Sequence, residues 1–227
     1  VQKRLLRELK ATGRPVVMLL SSGGAVALEE ESRLADAILA TWYPGQNGGR
    51  AIADVLAGDY NPAGRLPVTF YASSSDLPDF ENYNMPGRTY RYFLGEALYP
   101  FGHGLSYTTF SYGKATGMPA VLRAGESASL DIPVKNTGKL DGDEVVQVYL
   151  RRLDDPDAPL KSLRAFRRVG LKAGEKANVQ FELTPAQFET FDAATGAMAI
   201  VPGSYELLYG PSSASSALRT LPFRIVR

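Results

Sequence analysis

The sequence predicts an α/β segment with a mostly parallel sheet, followed by an all-β sandwich. Two changes of pattern along the 227 residues carry that reading. Up to about residue 71, helical periods alternate with short continuous apolar runs, as when helices cover both faces of a parallel sheet. Beyond about residue 110 the period becomes two, with turn residues at intervals, as in antiparallel sandwiches. Between the two lies Gly87 to Phe110, GRTYRYFLGEALYPFGHGLSYTTF, where Tyr90, Tyr92, Phe93, Tyr99, Phe101, Tyr107 and Phe110 are interleaved with four glycines. A flexible linker is polar or rich in Gly and Ser. Aromatics at this density demand burial, so the segment is expected to act as a packed junction. The predicted division is residues 1–75, 76–109 and 110–227.

The elements follow in order. Val1 to Leu9 is expected to be helical, with Val1, Leu5, Leu6 and Leu9 on one face, stopped by Thr12-Gly13 and Pro15. A chain that opens on an amphipathic helix, without a starting methionine, suggests a piece of a longer polypeptide. Pro15 to Leu20 reads as a strand covered on both faces. Glu29 to Ala37 reads as a short helix with three glutamates where the dipole favours them. Ile38 to Trp42 reads as a second buried strand. Asn47 is placed to cap a helix from Gly48 to Ala57, which Gly58 ends. Arg65 to Tyr71 is expected as a further strand. In the second half Ala128, Leu130, Ile132 and Val134 alternate with polar residues. So do Val146, Val148 and Leu150, and again Ala177, Val179, Phe181 and Leu183. Tyr205, Leu207 and Tyr209, then Phe223 and Ile225, complete about seven strands in about 115 residues. No internal repeat is visible.

Composition excludes several classes. The formal net charge is +1 with 22% charged residues, which offers neither the basic excess of a nucleic-acid binder nor an acidic one. There is no cysteine, hence no disulfide, thiolate metal site or thiol nucleophile. The apolar runs are too short for a helix to cross a bilayer. No nucleic-acid or membrane partner is expected, and the oligomeric state is left open.

GRTYRYF followed by LYPFGHGLSYTTF resembles the segment that joins the second catalytic domain to the C-terminal sandwich in family 3 glycoside hydrolases, the β-glucosidase and β-xylosidase group. Upstream, WYPGQNGGRAIADVLAGDYNPAGRLPVTF is similar to the last helix and strand of that family's α/β domain. Downstream, VKNTGKLDGDEVVQVYL, LRAFRRVGLKAGEKANVQFELTPAQF and VPGSYELLYG resemble its fibronectin type III-like domain. The resemblance covers nearly the whole chain. It implies a fold made of the end of a three-layer α/β sandwich domain, a partial sheet, followed by a fibronectin type III-like sandwich. Departures are Ser21-Ser22-Gly23-Gly24-Ala25, where many members have a turn with Asn and Pro, and Arg164-Ala165-Phe166, where Lys-Gly-Phe is common; neither is expected to touch chemistry. The resemblance implies a retaining, exo-acting β-glycosidase, periplasmic or secreted rather than cytoplasmic. Its substrate would be a β-linked oligosaccharide or aryl glycoside, and no cofactor is expected.

Glycoside hydrolysis needs two carboxyl groups facing each other across the scissile bond. In the family resembled, the nucleophilic aspartate lies in an N-terminal barrel and the acid/base glutamate in the α/β domain, both upstream of the stretches matched here. No catalytic, substrate-binding, cofactor or metal residue is therefore assigned to this chain, and the chain alone is expected to be inactive. A non-catalytic carbohydrate- or protein-binding module is the alternative. The features that tempt have plainer readings. Glu29, Glu30 and Glu31 suit a solvated helix start. Asp154, Asp155 and Asp157 lack the glycine and closing glutamate of a calcium loop and suit an exposed hairpin. Gly45 to Gly49 suits a tight turn plus cap better than an anion site. His103, the only histidine, suits a structural hydrogen bond, and Trp42 suits core. Tyr83, Tyr90 and Tyr92 could stack on sugars but suit packing between domains better. Arg88 and Arg91 suit a hydrogen-bonded clamp or a stack on an aromatic ring. The choice between glucosidase and xylosidase is not legible in these residues.

Overall fold

A computed structural model describes residues 1–227. The chain divides into two compact units. The first comprises Val1–Tyr60, Pro67–Thr89 and Phe93–Phe101; the second comprises Asn61–Leu66, Tyr90–Tyr92 and Gly102–Arg227. The chain thus passes between them more than once before the sandwich strands begin.

In the first unit α1 (Gln2–Ala11) is followed by β1 (Val17–Leu20), α2 (Glu29–Leu34), β2 (Ala37–Ala40) and α3 (Gly48–Ala57). β1 and β2 pair in parallel with Val17 opposite Ala37. Parallel pairing with a helical crossover is what the apolar runs imply. Their burial is not: Val17 and Leu19 are 48% and 45% exposed, so β1 is covered on one face only. α1 buries Leu6 alone of its apolar stripe. α3 begins at Gly48, but the Asn47 side chain accepts no capping bond. Pro44 packs instead where a Gly48 side chain would stand, at 2.5 Å from its would-be Cβ. Gly58, at φ 86°, closes α3 in the left-handed conformation that only glycine adopts freely.

The predicted strand at Arg65 to Tyr71 does not form. Pro67 supplies no N–H, and the stretch is divided between the units. Within the second unit Leu66 N–H donates to the His103 carbonyl and Gly102 N–H to the Leu66 carbonyl. Within the first, Phe70 and Tyr99 make an isolated antiparallel bridge. Phe70 is buried there, with Trp42 and Tyr99 edge-on to its ring at 6.4 and 6.3 Å. α4 (Thr89–Tyr92) is one turn inside the junction.

The second unit is a sandwich. A five-stranded sheet runs β4 (Val121–Arg123), β12 (Arg219–Val226), β11 (Gly203–Gly210), β6 (Gly142–Arg152), β7 (Ser162–Leu171). It is joined by a three-stranded sheet of β3 (Phe110–Tyr112), β5 (Ala128–Asn136) and β8 (Lys176–Leu183), while β9 (Thr190–Asp192) and β10 (Ala197–Ala199) form a separate hairpin. Every pairing is antiparallel except β4 with β12. The inward positions read from alternation form one core: Leu130, Ile132 and Val134 from β5, Val146, Val148 and Leu150 from β6, Val179, Phe181 and Leu183 from β8, with Tyr205, Leu207, Tyr209, Phe223 and Ile225.

β6 departs from simple alternation. Gln147 and Tyr149, on its other face, are 3% and 0% exposed. Segments outside the strands cover them. The Gln147 amide donates to the carbonyls of Gly102 and Pro211, and its own oxygen accepts from Tyr149 Oη. Tyr90 lies edge-on to Tyr149 at 5.9 Å. Gly102 must be glycine at this spot: its φ is 79°, and a Cβ would fall 2.0 Å from Gln147 Oε1.

Candidate functional site

The residues singled out in the sequence do not converge on one catalytic constellation, and most are engaged in ion pairs or hydrogen bonds. Glu29, Glu30 and Glu31 open α2, where Glu29 pairs with Arg33, Glu30 with Arg7 and Lys3, and Glu31 with Lys3. Their partners on α1 make this a helix–helix contact as well as a solvated face. The hydrogen bond from Arg7 holds the Glu30 carboxyl below its usual range. Asp154 accepts from Arg152 Nε at 2.9 Å and from Ser204 N–H at 3.0 Å; Asp155 pairs with Arg152 Nη1. Asp157 turns its N–H onto the Asp155 carboxylate, which closes an Asx turn in the β6–β7 loop. Burial, and secondarily Arg65, push the His103 imidazole below its usual value, so it is neutral at pH 7. Trp42 stands just beyond β2 at φ 51°, a left-handed conformation unusual for its residue type.

Arg88 is a clamp: its guanidinium donates to the carbonyls of Asp79, Asn82 and Asn84, tying one loop together. Tyr83 is 89% exposed. Tyr90 accepts from Leu163 N–H through its hydroxyl, and Arg91 lies over the Tyr92 ring at 5.7 Å while its carbonyl accepts from Leu160 N–H.

Three features of the second unit were not read from the sequence. The first is a buried ion pair. Arg65 Nη2 meets Glu144 Oε1 at 3.0 Å, with both side chains under a tenth exposed. Glu144 also accepts from Val145 N–H. Burial first, and then the Glu144 carboxylate, push the Tyr112 hydroxyl far above its usual value. Asn61 reinforces the same strap, donating to the Asp141 carbonyl and accepting from Ser106 Oγ and Tyr107 N–H. The second is Lys161, buried, which donates to the Ser213 carbonyl and Ser215 Oγ rather than to a carboxylate. Burial lowers its pKa. The third is a β-bulge. Val148 pairs with Ala165 and Tyr149 with Leu163, so Arg164 has no partner across the β6–β7 ladder. The Tyr90 hydroxyl takes the Leu163 N–H there. The RTYRY run points to Tyr90, but neither that run nor the strand read at Arg65 to Tyr71 names its distant partner.

Chemically, then, hydrogen bonds and ion pairs here tie strands and straps together, and a shallow groove lies along β7 and β8, lined by Leu163 to Arg167, Phe181 and Glu182.

Residues 1–107 match the glycosyl hydrolase family 3 C-terminal domain, and residues 144–213 match the fibronectin type III-like domain. The chain is 52% identical to a xylan 1,4-beta-xylosidase of Xylanibacter ruminicola over 97% of its length and 25% of that relative's. It is 38% identical to a periplasmic beta-glucosidase of Salmonella typhimurium, over 91% of this chain and 31% of the relative. Among solved structures, a beta-glucosidase from Listeria innocua in complex with glucose superposes with a TM-score of 0.86 at 31% identity, over 100% of this chain and 33% of that one. A β-glucosidase from Erythrobacter marinus does so with a TM-score of 0.86 at 37% identity, over 99% and 30%. The chain thus spans a quarter to a third of the length of these relatives. The α/β unit and the sandwich, the two domain matches and this agreement along the whole chain identify it as a member of glycoside hydrolase family 3, corresponding to the C-terminal portion of its relatives.

Proposed function

We propose that this chain is the C-terminal part of a retaining, exo-acting β-glycosidase that removes terminal sugars from β-linked glycans, and that the glycone is xylose. The observation that carries the reading is the 52% identity to a xylan 1,4-beta-xylosidase along 97% of the chain, against 38% to a beta-glucosidase. The catalytic carboxylates belong to sequence outside these 227 residues. In support, the neighbouring carboxylates of the chain are engaged: Glu30 and Glu31 by α1, Asp154 and Asp155 by Arg152, Glu144 by Arg65. A retaining glycosidase instead needs two carboxyl groups about 5 Å apart on either side of a sugar site.

The test compares the 227-residue chain with a longer protein translated from the same reading frame, on 4-nitrophenyl β-xyloside and β-glucoside. The longer protein is expected to hydrolyse the xyloside with the larger kcat/KM, and the chain alone to show nothing above buffer. Turnover that titrates with the repurified 227-residue chain would place the carboxylate pair within it and overturn the reading.

A further inference from the structure

We infer that the groove between β7 and β8 is a non-catalytic site for a glycan bearing a carboxylate, a uronic acid substituent, with Arg164 taking the carboxylate and Phe166 stacking on the sugar ring. The choice of a glycan rests on the function proposed above; the site itself rests on geometry.

β7 is the last strand of the five-stranded sheet and β8 the last of the three-stranded one, so the groove runs along an open margin of the sandwich. The bulge in β7 falls on Arg164, and bulges re-aim side chains that a regular ladder would fix. Arg164 donates through Nη2 to the Glu189 carbonyl at 2.6 Å, which anchors one arm of its guanidinium. It makes no ion pair, and its Nε is buried without a hydrogen-bond partner. A buried charged donor left unsatisfied is costly, and such groups mark places where a partner is missing. A planar carboxylate can take two parallel bonds from one guanidinium.

Two residues along, Phe166 is 67% exposed and lines the same groove. Phenyl rings, like those of tyrosines, suit the C–H faces of pyranoses. Arg167 stands over the Phe181 ring at 5.7 Å and adds a second positive charge, against the one carboxylate of Glu182. The groove is shallow and open, which suits an extended chain lying across it better than an enclosed single sugar. A second copy of this chain pairing through the margin is disfavoured. The bulge breaks the edge, and arginines 164 and 167 would face like charges.

The test titrates the 227-residue chain with a xylo-oligosaccharide bearing one glucuronic acid, with the same oligosaccharide lacking it, and with sodium glucuronate at matched ionic strength. Binding is read by NMR on arginine Nε–H and backbone amides. The acidic oligosaccharide is expected to bind in the range of about 1 mM and to shift Arg164 Nε–H and the amides of residues 163–167. Arg164→Gln should weaken it about tenfold, the equivalent of about 1.4 kcal/mol. Phe166→Ala, on an exposed site that leaves the core intact, should weaken both oligosaccharides but not glucuronate. Equal affinity for the neutral oligosaccharide would overturn the inference, as would shifts confined to other residues, or shifts of residues 163–167 that follow protein concentration without any oligosaccharide. Binding here and hydrolysis by the longer protein are separate readouts, so either can fail without the other.

Discussion

The two units bury their apolar residues very differently. In the first, Leu6, Leu28 and Phe70 are the large hydrophobics that reach full burial, while Leu5, Leu9, Val17, Leu19, Tyr43, Leu56, Phe80 and Tyr83 stay exposed. In the second, both sheets close on one continuous core. A two-stranded sheet between helices offers little interior, whereas two facing sheets shield each other's inner faces. Stability should therefore be concentrated in the second unit, and single substitutions should reveal it.

The largest contrast is expected in limited proteolysis. The loop from Glu81 to Pro86 is exposed throughout, with Phe80 and Tyr83 at 90% and 89%. A chymotrypsin-type protease should cut there first, consume the N-terminal residues and leave a resistant piece containing β3 to β12. A time course in which residues 1–60 survive longest would reverse the comparison.

Core truncation comes next. Phe181→Ala removes a ring that is 6% exposed inside the sandwich and should cost about 3–5 kcal/mol through lost burial and a cavity. Glu182→Ala, its exposed neighbour on β8, should stay within about 0.5 kcal/mol. Equal shifts in denaturant melts would mean the register of β8 against β5 is wrong.

Much of that core was legible because its period is local. β5 and β8 alternate cleanly, so Leu130, Ile132, Val179 and Phe181 could be placed from neighbours in sequence alone. β6 could not be read this way. Gln147 and Tyr149 look solvent-facing until one sees Tyr90, Gly102 and Pro211 laid over them, and no local pattern announces a cover that far away. Arg65 to Tyr71 failed as a strand for the related reason that its two ends serve different units. The buried Arg65–Glu144 pair and the Arg164 bulge are likewise long-range facts: one joins residues 79 positions apart, the other is a register shift. The family resemblance did extend beyond periodicity, because it rests on fixed motifs and not on spacing alone.

The Arg65–Glu144 pair sharpens the comparison, since it ties the 61–66 segment into the second unit. Arg65→Met should cost about 3 kcal/mol, because it leaves the Glu144 carboxylate buried without its counter-charge. The double variant Arg65→Met/Glu144→Leu should recover most of that, as apolar replacements of buried pairs often do. A single variant that melts like the parent would show that the 61–66 strap is dispensable. A smaller effect is expected from His103. Its folded pKa is held below the unfolded value, so the unfolded state binds the proton more readily. The contribution is favourable above about pH 6.5 and is lost as pH falls through that value towards the lower folded one. Melting temperature of the parent should drop over that window more than that of His103→Gln, and parallel profiles would remove His103 as the cause.

The smallest effect of an apolar truncation on stability is expected on β1, and it is the sharpest probe of the first unit. Leu19 points to a face that is nearly half exposed, alongside Val17. Full burial of a leucine side chain contributes about 1.5–3 kcal/mol and Leu19 keeps a little over half of it, so Leu19→Ser should cost about 1–1.5 kcal/mol, well short of Phe181→Ala. What it should change is association. Val17, Leu19, Leu5 and Leu9 leave apolar surface in contact with water, and contiguous patches of that kind drive proteins together. Sedimentation of the parent chain should show reversible self-association that Leu19→Ser reduces while the melt moves far less than for Phe181→Ala. The same substitution costing as much as Phe181→Ala would make β1 a core strand. It would mean that the first unit has a closed interior of its own, and the contrast between the two units would fail at its weakest point.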